Sequence, residues 1–108
     1  MDYFNNKEKE KMVKHIVMFK LKGSAEDRQR IAREFAAAIN ALPEKIEVLR
    51  SVESAVNENP AESWDVVLTA VVDTMADVEV YAKHPAHVAA AAIVGPHKED
   101  RACVDYEC

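Results

Sequence analysis

"VKHIVMFKL" occupies residues 13–21. Its β-branched content and period-two alternation predict a strand. Val13, His15, Val17, Phe19 and Leu21 fall on one face, and Lys14, Ile16, Met18 and Lys20 on the other. Ile16 and Met18 make the centre of the second face apolar too. The middle of this strand therefore needs cover on both sides. The chain's own helices supply one cover, and a second copy of the chain is expected to supply the other.

Working outward from that strand, "GSAEDRQRIAREFAAAINALP" reads as a helix. Ser24 and Asp27 form a capping-box pattern, Glu26 and Asp27 suit the positive end of the helix dipole, and Pro43 stops the run. Ile31, Phe35, Ala38, Ile39 and Leu42 make one apolar stripe. Residues 46–57 alternate as a second strand, "ENPAES" turns, and residues 64–73 form a third. The short loop between them implies an antiparallel hairpin. Thr74, with Asp77 three residues on, caps a second helix. Pro85 breaks that helix at His84, because the residue before a proline is driven out of the α region. A new helix starts at Pro85 and runs to Val94, with Gly95 and Pro96 ending it. Residues 102–108 make a closing strand.

The order is β-α-β-β-α-β, which predicts an α+β, ferredoxin-like domain. Four antiparallel strands carry the helices on one face. Ile16, Met18, Val67 and Val71 would leave the other face greasy in a monomer. Each such side chain contributes about 1.5–3 kcal/mol when fully buried. A homodimer through the sheet face opposite the helices follows as the expected assembly. Residues 1–12 read as a polar N-terminal extension and residues 13–108 as one domain.

Composition narrows the function. The net charge is −5 and the 14 Lys and Arg residues cluster on no predicted face, which argues against nucleic acid as a partner. The N-terminus has no signal-peptide pattern, and no apolar run is long enough to span a membrane. A cytoplasmic setting is the expectation. Cys103 and Cys108 lie on one predicted strand, about 16 Å apart at its rise per residue, too far for a disulfide.

"VKHIVMFKLK", "YAKHPAHV" and "GPHKEDRACVDYE" together resemble the stress-responsive dimeric α/β-barrel family over residues 13–107. The resemblance implies a ferredoxin-like monomer whose sheets pair into a barrel-like dimer. A plant branch of that family contains polyketide cyclases that close an aromatic ring by an intramolecular aldol reaction without a metal. There the second His of an H-P-x-H motif and a Tyr shortly before it act as the acid–base pair. Here those positions are His87 and Tyr81, and the family's first-strand His falls on His15. The run Ala89–Ala92 departs from the cyclases, whose residues there line the pocket.

The residues themselves allow the same chemistry. Tyr81 and His87 would sit about 240° apart on an unbroken helix. The break at Pro85 is what can turn them toward one cavity. A neutral His can remove a proton α to a ketone, and a Tyr O–H can stabilise the enolate. His15, Val17, Phe19 and His84 are the expected pocket residues. No metal and no cofactor are expected. Two functions result: binding of a small apolar metabolite between helix and sheet, or a cofactor-free lyase or cyclase acting on a small keto compound.

Overall fold

The computed structural model describes residues 11–108. All but the last two residues of the expected N-terminal extension, 1–12, lie outside that range. Strand β1 is Val13–Leu21, helix α1 Ala25–Asn40, β2 Ser51–Val56, β3 Val66–Val72, α2 Met75–Lys83, α3 Pro85–Val94 and β4 Lys98–Glu107. The sheet order is β2-β3-β1-β4, with every neighbouring pair antiparallel. This is the ferredoxin-like arrangement, with the second helical segment split in two.

β1 is central and alternates strictly, its odd residues buried and its even ones half-buried. Gly23 leaves the strand with φ 110°, a left-handed conformation that favours glycine. Ser24 then caps α1 by accepting the Asp27 N–H at 3.1 Å. α1 buries Ile31, Ala32, Phe35, Ala36 and Ile39 against the sheet. Phe19 meets Phe35 edge-on at 5.4 Å between ring centroids. The Asn40 side chain donates to the Ser54 carbonyl at 3.0 Å and accepts its N–H at 2.9 Å, tying α1 to edge strand β2.

Three element boundaries differ from the sequence reading. β2 begins at Ser51 and not at Ile46, because Ile46 and Leu49 are buried in the irregular connection after α1. β3 is trimmed to Val66–Val72. β4 starts at Lys98, four residues before the expected Ala102. It pairs along β1 from Val13↔Glu107 to Leu21↔Lys98, with a register shift between Lys20 and Leu21.

The face away from the helices carries Ile16, Met18, Val67 and Val71, all half-buried, beside Val104 at 54% and Tyr106 at 44% exposure. β4 buries no residue fully on either face. No helix among the described residues is long and apolar enough to cross a membrane.

Candidate functional site

The proline break assembles the site. His84 adopts φ −62° and ψ 135°, so α2 ends and α3 starts on Pro85. The His84 Nδ1 accepts the Ala86 N–H at 3.0 Å, making His84 the N-cap of α3. Tyr81 lies in the last turn of α2 and is fully buried. His87 lies in the first turn of α3. Its Nδ1–H donates to the Ala82 carbonyl at 2.9 Å, back across the break. That bond fixes the tautomer and leaves Nε2 as the acceptor nitrogen.

Three rings stand in a row. Tyr81 and His87 have centroids 4.5 Å apart with the rings tilted by 56°. His15 meets Tyr81 edge-on at 5.9 Å. On its other side the His15 Nδ1 bonds Asp105 Oδ1 at 2.5 Å. The Cys103 Sγ lies 3.6 Å from that same Nδ1 and 3.9 Å from Asp105 Oδ2.

Between α3 and the sheet is a cavity of about 310 Å³. His15, Val17 and Phe19 line it from β1, and His87 and Ala91 from α3. Phe35, Leu68 and Val94 complete its apolar walls, while Lys98 and Arg101 bring positive charge to its edge. Among the alanines, Ala90 is buried and Ala91 borders the cavity, so the run keeps the helix close without filling the space.

Burial lowers the His87 pKa, opposed by the bond to the Ala82 carbonyl and assisted by the nearby His15 and Arg101. His87 is therefore neutral at pH 7. Burial pushes the Tyr81 phenol up to about 12, so it remains an O–H donor. That hydroxyl is buried and has no hydrogen-bond partner among the described residues.

His15, Val17, Phe19 and His87 thus meet at one cavity. Tyr81 packs behind His87 and is not part of the lining, and His84 is occupied in capping α3. Asp105, Cys103 and Arg101 were not singled out from the sequence. Their approach to His15 is created by the antiparallel register of β1 and β4, which sets His15 opposite Asp105 and Val17 opposite Cys103. No linear motif reports such a pairing.

A family model described as the stress responsive A/B barrel domain matches residues 13–108. The chain is similar to a dimeric protein of unknown function with a ferredoxin-like fold from Bacteroides fragilis, at 48% identity and a TM-score of 0.86, covering 90% of this chain and 96% of that one. A dimeric ferredoxin-like protein from Thermobifida fusca, also of unknown function, shares 25% identity with a TM-score of 0.75 and coverage of 91% and 92%. A hydroxynitrile lyase from Passiflora edulis is similar in fold, with a TM-score of 0.71, 17% identity and coverage of 90% and 93%. No curated protein matches the chain.

Proposed function

The chain belongs to the stress responsive A/B barrel domain family, and on that premise we propose that it works as a homodimer whose helix–sheet cavity binds a small apolar metabolite. The observation that carries this reading is the cavity itself. Its volume of about 310 Å³ sits at the lower end of the range typical of small-molecule sites. Its walls are mainly apolar, and its lining includes only a few polar groups, His15, His87, Lys98 and Arg101. An occupant with a hydrocarbon body and one carbonyl or acidic group satisfies both features. The similarity to dimeric relatives supports the pairing, as do the exposed Val104 and Tyr106 on the face away from the helices.

The neutral His87 favours a second reading, a cofactor-free lyase or cyclase acting on a small keto compound. With Nδ1 held by the Ala82 carbonyl, Nε2 is free to accept a proton from the carbon α to a ketone. The C–H electron pair then moves onto the carbonyl oxygen as an enolate. The Tyr81 hydroxyl is buried behind His87 without a partner among the described residues, and it donates to that oxygen only if the ligand reaches past the imidazole.

NMR of the His87 ring during titration with acetophenone and 2,4-pentanedione tests both readings. Binding predicts a saturable shift of that ring that is insensitive to His84→Ala, with a matching shift of the Ala91 amide that weakens in His87→Ala. Enzyme chemistry adds protein-dependent deuterium incorporation at the α carbon in heavy water, abolished in His87→Ala and reduced in Tyr81→Phe. A ring signal unmoved by either ketone would remove the ligand assignment, and a shift without deuterium exchange would remove the catalytic one.

A further inference from the structure

The geometry points to a transition-metal site formed by His15 Nδ1, Cys103 Sγ and a carboxylate oxygen of Asp105, suited to zinc. The donor atoms of these three residues all lie within 4.8 Å of one another. They come from two paired strands, which place a ligand set more precisely than loops do. His15 is buried, Asp105 half-buried and Cys103 exposed, which leaves a path for the ion from solvent.

The spacing fits tetrahedral coordination. Zinc bonds of about 2.0–2.1 Å to nitrogen, 2.3 Å to sulfur and 2.0–2.2 Å to oxygen put neighbouring donors roughly 3.3–3.6 Å apart. Cys103 Sγ and His15 Nδ1 already stand at 3.6 Å, and Cys103 Sγ is 3.9 Å from Asp105 Oδ2. Asp105 Oδ1, 2.5 Å from Nδ1, has to withdraw by roughly 0.8 Å to meet tetrahedral spacing, a small rotation of a short side chain. A thiolate and a carboxylate neutralise a dication. Arg101, two residues before Cys103 on the same strand face, is the nearby opposing charge and bounds the site on the cavity side.

The alternative use of a Cys, a His and an Asp is a nucleophilic triad. That arrangement needs the thiol and the carboxylate on opposite ring nitrogens. Here both approach Nδ1, which is the disposition of ligands around one ion and not of a proton relay. Three protein donors also leave a fourth coordination position for water or a ligand atom. Binding takes His15 as the neutral tautomer with its proton on Nε2 and releases the Cys103 thiol proton to solvent, so affinity rises with pH. The site does not use His87, though it shares His15 with the lining of the cavity.

The test is a titration of the untagged, reduced full chain with Co²⁺ and then Zn²⁺. One Co²⁺ per chain is expected, with a thiolate-to-cobalt charge-transfer band and the intense visible bands of tetrahedral cobalt, both displaced by Zn²⁺. Cys103→Ser abolishes the charge-transfer band and weakens Zn²⁺ binding at least about tenfold, and Asp105→Asn weakens it comparably. Cys108→Ser and His87→Ala keep the band. Cys103 is exposed, and unchanged far-UV circular dichroism verifies that its variant folds. A band that follows Cys108, no cobalt–thiolate band, or Zn²⁺ affinity unaltered by Cys103→Ser overturns the assignment.

Discussion

At the scale of single residues, two groups in the row of rings carry opposite costs. Tyr81 buries a hydroxyl that has no partner among the described residues, which costs a folded protein about 1–3 kcal/mol. Tyr81→Phe is expected to unfold at higher urea concentration than the parent, by about 1 kcal/mol, because the phenyl ring keeps the packing and drops the unpaired group. His87 has the complementary property, since its folded pKa is lowered by burial. The unfolded chain binds a proton there that the folded chain resists. Stability therefore declines as pH falls below the ordinary 6.5 and goes on declining until the lowered folded value is passed. His87→Gln removes that part of the slope. Urea midpoints of both proteins at pH 7.5 and about pH 5 read the difference directly.

Secondary-structure elements show what the amino-acid order makes legible. Ser24, Thr74 and Pro85 act locally, so the starts of α1, α2 and α3 follow from short patterns. β1 was legible because both its faces are packed in a regular alternation. β4 extends four residues beyond its hydrophobic pattern because Lys98–Arg101 is charged throughout and buried on neither side, which leaves no hydrophobic period to detect. Ile46 and Leu49 misled in the other direction, being core residues held by an irregular segment. The same division applies to the site. His15, Val17, Phe19 and His87 lie on elements with clear patterns, whereas Asp105, Cys103 and Arg101 reach it through strand pairing between the two ends of the domain. His84 gives an element-scale test. His84→Ala removes the side-chain acceptor at the start of α3 and is expected to cost about 0.5–2 kcal/mol. Chemical denaturation measures that loss, and ketone titration of the same variant shows cavity binding preserved.

For the whole molecule, the outer sheet face is the surface we propose for the pairing of two copies. Val104 and Tyr106 are large, apolar and half open to water, and they continue the patch of Ile16, Met18, Val67 and Val71. A charge in the middle of such a patch must be desolvated when two sheets meet. Tyr106→Glu is therefore expected to change the light-scattering mass at micromolar concentration from twice 12.1 kDa to 12.1 kDa. Its circular dichroism should stay that of the parent, since Tyr106 belongs to no buried core.

β4 ends the sheet with one ladder partner and no fully buried side chain. It is fastened to its own chain almost wholly by backbone bonds to β1. Its amide protons should accordingly exchange with heavy water sooner than those of β1, and faster again in Tyr106→Glu. Arg101, Cys103 and Asp105 ride on that ribbon. Dilution that parts the twins would then fray the wall of the chamber each one encloses, so occupancy and association would rise and fall as linked equilibria.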